Sequence, residues 1–138
     1  MLETININNK IQRVYYDHNP HSIDANKLLL HDLFKIISKI LDIDVLKNIL
    51  YLNKGIIYEE TYFGLNIIYY FIKSKSKWVK YMVYEYPKLC SNKWIIQYLN
   101  EYFKKDNSVL DFVKENSNND IKSEGGQESL CEVYMGGN

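Results

Sequence analysis

Alanine and arginine are almost missing from this chain: each occurs once in 138 residues, the arginine as Arg13. Cysteine is nearly as scarce. Cys90 and Cys131 lie 41 positions apart, which excludes a disulfide framework. Only Pro20 and Pro87 interrupt the chain as prolines. Of six glycines, Gly55 and Gly64 stand alone and the other four lie near the C-terminus, so no Gly-rich phosphate loop exists. No Asn stands in an N-x-Ser/Thr acceptor. The longest apolar run, Tyr62 to Ile72, is interrupted by Asn66 and is far too short to span a bilayer. The stretch Met1 to Asn9 is polar and has no apolar core, so no signal peptide is expected. These absences lead us to expect a soluble intracellular, cytoplasmic protein with no membrane partner.

Catalytic patterns are missing too. No Ser or Cys sits in a nucleophile motif. Cys90 precedes Ser91, a helix-cap type, but no basic partner can be named to activate its thiol. Glu59 and Glu60 read as charges at a helix start rather than as an acid/base pair. The expectation is a non-enzyme with no cofactor.

What is abundant is equally skewed: 17 Ile, 16 Lys, 15 Asn and 13 Tyr. All four have A/T-rich codons. An AT-rich genome, such as that of a large DNA virus, a protist or an AT-rich bacterium, is the simplest cause. Lysine density is therefore weak testimony to chemistry. Net charge is zero, so no whole-molecule attraction to nucleic acid or membrane follows. The charge is nevertheless segregated. Residues 1–72 sum to −1, residues 73–105 to +6 and residues 106–138 to −5.

The length suits one domain with a real core. Residues 1–21 are expected to be an extended N-terminal arm. Ile5 and Ile7 alternate there with polar residues, and Pro20 disfavours helix at Asn19. Residues 22–115 are expected to be helical. Leu29, Leu30, Leu33, Phe34, Ile36, Ile37, Ile40 and Leu41 recur at spacings of three and four. A second helix runs to Asn53, with Gly55 suited to the left-handed position after it. A third begins at Glu59-Glu60 and buries most of Tyr62–Ile72. Lys77 to Tyr86 is the fourth, with a strand as the alternative. Ser91 caps a fifth along Trp94, Ile95, Tyr98, Leu99, Tyr102 and Phe103. Ser108, paired with Asp111 as a capping box, starts a sixth that ends near Glu115. Residues 116–138 are expected to be a disordered acidic tail.

Asp44, Ser76 and Ser108 each precede a short apolar run, and they are spaced 32 residues apart both times. Each can cap a helix through a side-chain oxygen. A period in the thirties is that of stacked helical hairpins, here roughly 24–53, 59–86 and 92–115. Residues 44–55, Asp-Val-Leu-Lys-Asn-Ile-Leu-Tyr-Leu-Asn-Lys-Gly, resemble the second ankyrin helix and the turn after it. Residues 77–83, Lys-Trp-Val-Lys-Tyr-Met-Val, resemble the same helix one repeat on, with Lys47 and Lys80 matching at 33 residues. The resemblance to degenerate ankyrin repeats covers about residues 32–115. The tetrapeptide Thr-Pro-Leu-His is absent, and Ile, Ser and Tyr fill the small alanine positions. The fold expected is all-α, as stacked helical hairpins in a short solenoid. The alternative is a compact helical bundle, a class in which small poxvirus apoptosis regulators have similar length and an apolar central helix.

The resemblance implies a non-enzymatic protein–protein interaction module, such as a viral adaptor or host-modulating protein. The alternative is nucleic-acid binding. Lys73, Lys75, Lys77 and Lys80 surround Trp78 and Tyr81, and cations interleaved with aromatics can track phosphates while bases stack. Trp78 and Trp94 are candidate interface anchors or core residues; spacing to Met82 and Tyr98 favours burial of at least one. His18, His21 and His31 match no zinc signature, and no metal site is expected.

Overall fold

The computed structural model describes residues 2–13, 23–61 and 64–125. Among these it is all-α. The helices are α1 (Leu2–Ile11), α2 (Ile23–Ser38), α3 (Ile43–Leu52), α4 (Ile67–Lys73), α5 (Val79–Glu85), α6 (Lys93–Tyr102) and α7 (Asn107–Gly125), with a 3-10 helix at Pro87–Cys90. The strand alternative for residues 77–86 is not taken up. The chain divides into two compact units, residues 1–79 and residues 80–138. Asn19 and Pro20, His18, His21, Tyr62, and Cys131 with the last thirteen residues lie outside the described residues.

In the first unit α1 packs on α3, and α2 packs on α4. The expected extended arm is instead this α1 helix. Its inner face explains the misreading. Thr4 and Ile11 are buried two turns apart, and Asn8, between them, accepts from Asn53 Nδ2 at 3.2 Å. A face built partly from Thr and Asn does not show as hydrophobic periodicity. Thr4 Oγ1 and Asn53 Oδ1 are buried without a hydrogen-bond partner among the described residues. Helix α2 presents Leu30, Leu33, Phe34 and Ile37 inward, as its spacing requires. Helix α3 buries Val45, Leu46, Ile49 and Leu50.

Caps set the helix boundaries, and two of the three expected caps are displaced. Asp42, not Asp44, caps α3: its Oδ1 accepts from Asp44 N at 2.8 Å and Val45 N at 3.3 Å. Asp106, not Ser108, opens α7, accepting from Val109 N at 3.4 Å and, through its carbonyl, from Leu110 N at 3.3 Å. Ser76 keeps its place, accepting from Trp78 N at 3.0 Å on the approach to α5. The helices of this set therefore start at residues 43, 79 and 107, spaced 36 and 28 rather than evenly at 32. Likewise Asn92 caps α6, accepting from Trp94 N at 2.8 Å, while Ser91 bonds back to Lys88 O.

The third expected helix starts later than its apolar run. Residues 59–61 and 64–66 lie outside any α-helix, and α4 starts only after Asn66, whose side chain accepts from Ile68 N at 3.0 Å. Gly64, at φ 71°, takes the left-handed conformation that had been assigned to Gly55. Asn53 ends α3 instead, its backbone N–H reaching Ile49 O and Leu50 O. Ile67, Ile68, Tyr70 and Phe71 are buried, as the apolar run implies. A polar chain ties this region to α2. His31 Nδ1 lies 2.8 Å from Tyr70 Oη, which donates to Thr61 Oγ1 at 3.0 Å, and Thr61 donates to Leu65 O at 3.0 Å. Because Leu65 O can only accept, the donors run in one direction, and His31 Nδ1 carries a proton.

In the second unit, α6 and α7 pack on each other and on the 3-10 helix. Tyr84 meets Phe112 at 4.6 Å between ring centroids. Val109, Val113 and Ser117 form the buried row of α7 at i, i+4 spacing, and Ser117 Oγ donates to Cys90 O at 3.4 Å. That row extends past Glu115, the expected end of the helix, to Ser117, and α7 itself runs to Gly125. No helix among the described residues is long and apolar enough to cross a membrane.

Candidate functional site

The turn after α4 is built as a Schellman motif. Ser76 N reaches Phe71 O and Lys75 N reaches Ile72 O, both at 3.0 Å. Such a motif needs one residue in the left-handed region, usually glycine. Here it is Lys75, with φ 55°. A side chain there costs about 1 kcal/mol relative to glycine. The Lys75 side chain is exposed.

Beside this turn runs the connection between α2 and α3. Two hydrogen bonds join them: Ser74 Oγ to Ser38 O at 3.1 Å, and Trp78 Nε1 to Leu41 O at 2.9 Å. The second explains Trp78, which lies half-buried with its indole N–H spent on a backbone carbonyl. Lys77 Nζ stands 5.0 Å from the Trp78 ring centroid, within cation–π range. Leu41 is 72% exposed beside it. The joined turns thus carry an exposed apolar residue, a fixed indole and the cations Lys39, Lys75 and Lys77. Lys73, at the end of α4, leans over the Tyr69 ring at 5.7 Å.

The remaining two expected site residues belong to the second unit. Lys80 Nζ pairs with Asp106 Oδ2 at 3.3 Å, so its charge is balanced by the residue that opens α7. Trp94 is 47% exposed at the start of α6, with Lys93 Nζ 5.2 Å from its ring centroid. Neither tryptophan is fully buried, against the expectation that at least one would be. Ile95 and Leu99 take the inner face of α6 instead.

The sequence reading missed a second basic feature in the first unit. Lys10 of α1, Asp32, Lys35 and Ile36 of α2, and Lys39 just past the end of α2 line an open groove of about 550 Å³. The α2 members Asp32, Lys35 and Ile36 stand at i, i+3 and i+4, one helix face, and Lys39 follows in the turn. The signal was present as Lys35 and Lys39 four apart, but Lys10 joins them only through the fold.

Other chemistry is thin. Burial pushes the Cys90 thiol from its ordinary value near 9 up to about 12, so it stays a neutral thiol in the folded chain. No group of three or more His, Cys, Asp or Glu among the described residues could hold a metal ion. Burial also raises Tyr70, whose hydroxyl is spent within the polar chain to Thr61. Compared with known proteins, the chain matches no family model, no curated protein and no solved structure.

Proposed function

We propose that this chain is a non-enzymatic protein-binding module that uses the joined turns of residues 38–42 and 74–78 as its contact surface. One observation carries the reading: within residues 1–79 the turn after α2 and the turn after α4 lie side by side, bonded through Ser74–Ser38 and Trp78–Leu41. Every second helix packs, α1 on α3 and α2 on α4, as in stacked hairpins. An exposed Leu beside a fixed Trp, ringed by cations, has the composition of an interface anchor with a polar rim. An intracellular adaptor or host-modulating role in a viral or AT-rich-genome setting fits the composition.

The test is affinity capture from nuclease-treated cell extract, comparing the full chain with Lys75→Glu/Lys77→Glu. A protein retained by the first and lost from the folded variant supports the reading. Retention unaffected by the charge reversal contradicts it. Nucleic-acid binding is the second reading, resting on Lys73, Lys75 and Lys77 around Trp78. Lys80 adds little to it, being paired with Asp106. Salt-dependent capture that disappears with nuclease treatment would favour that alternative.

A further inference from the structure

The groove between α1 and α2 offers chemistry that the joined turns do not. Its lining holds three cations, Lys10, Lys35 and Lys39, against one carboxylate, Asp32, with half-buried Ile36 on the floor. Among the described residues, none of these three lysines makes an ion pair. The volume, about 550 Å³, is within the usual range of about 300–1,000 Å³ for ligand sites. Lys35, in the last turn of α2, and Lys39, just past its end, line the same groove, so their ammonium groups can meet two acidic groups of one segment. The groove is also continuous with the joined turns. Lys39 follows Ser38, whose carbonyl accepts from Ser74 Oγ at 3.1 Å.

We infer that this groove binds an acidic peptide segment of a partner protein, one bearing an apolar side chain among its carboxylates. The inference rests on the protein-binding reading and names the partner's chemistry. Two features select a peptide over a phosphate chain. Asp32 repels closely spaced phosphates but accepts from a peptide N–H. Ile36 offers an apolar contact that a phosphodiester backbone leaves unused. The carboxylates of the segment meet Lys35 and Lys39, its apolar residue covers Ile36, and Lys10 closes the far wall.

The test uses purified full-length chain and a fluorescein-labelled, glutamate-rich, leucine-bearing peptide, titrated by anisotropy at low and at physiological salt. Inorganic tripolyphosphate and a thymidine oligonucleotide serve as competitors. Lys35→Gln/Lys39→Gln changes exposed positions, and its fold is checked by circular dichroism; Lys114→Gln is the charge control. The expected result is saturable, salt-weakened binding, reduced about tenfold in the double variant and unchanged in the control. No saturable peptide binding, or equal binding by the double variant, overturns the inference. So does tighter binding of either phosphate competitor at the same lysines. Should the groove fail while protein capture still depends on Lys75 and Lys77, the protein-binding reading stands without it.

Discussion

Lys75 sits where glycine would be cheaper. Its φ of 55° closes the Schellman turn after α4, and only its side chain is gained in return. Lys75→Gly should therefore raise stability by about 1 kcal/mol, read as a higher urea midpoint, while weakening retention of the captured partner. A stabilised variant with full binding would reduce Lys75 to a product of lysine-rich composition. Cys90 gives a second residue-scale outcome. Its thiol ionises near 9 when unfolded and near 12 when buried, so above pH 9 the unfolded chain gives up its proton first. The stability linked to Cys90 is thus complete below pH 9 and lost as pH rises toward 12. Tyr70 and Tyr81, both raised by burial, act in the same direction. Urea midpoints should fall over that range, and less steeply for Cys90→Ala. In a Cys131→Ser background, a thiol reagent at neutral pH should label Cys90 no faster than the chain unfolds. The displaced caps are residue-scale lessons as well. Asp42 and Asp44 are both competent, as are Asp106 and Ser108. Two cap residues two positions apart leave the start undecided until the backbone chooses.

Among the elements, α2, α3 and α6 were legible because their apolar spacing is that of a helix packed on one side. Helix α1 was not legible, because Thr4 and Asn8 share its inner face with Ile11. Its place against α3 makes it part of the first unit's core rather than an arm. Ile11→Ala should cost roughly 2–5 kcal/mol in urea unfolding, as for other fully buried residues; an arm residue would cost almost nothing. Helix α4 was overextended because continuous apolarity from Tyr62 does not reveal the Asn66 cap or the Gly64 turn. The end of α7 was misplaced for the opposite reason. Polar residues beyond Glu115 hide Ser117, which continues the buried row of Val109 and Val113.

At the scale of the whole chain, the even 32-residue recurrence becomes helix starts spaced 36 and then 28. What persists is a turn-on-turn arrangement within residues 1–79. The sequence reading singles out Lys75, Lys77 and Trp78 on one of the two turns. It could not identify the other, because Lys39 and Leu41 lie more than thirty residues away and look ordinary in a lysine- and leucine-bearing helix end. The Lys10, Lys35 and Lys39 groove was hidden for the same reason. The central claim is that a partner protein sits on the joined turns. Hydrogen exchange of the full chain, with and without the captured partner, addresses it most directly. The account predicts slowed exchange at residues 39–42 and 74–78. Unchanged exchange at both turns, with protection confined to other segments, would contradict it.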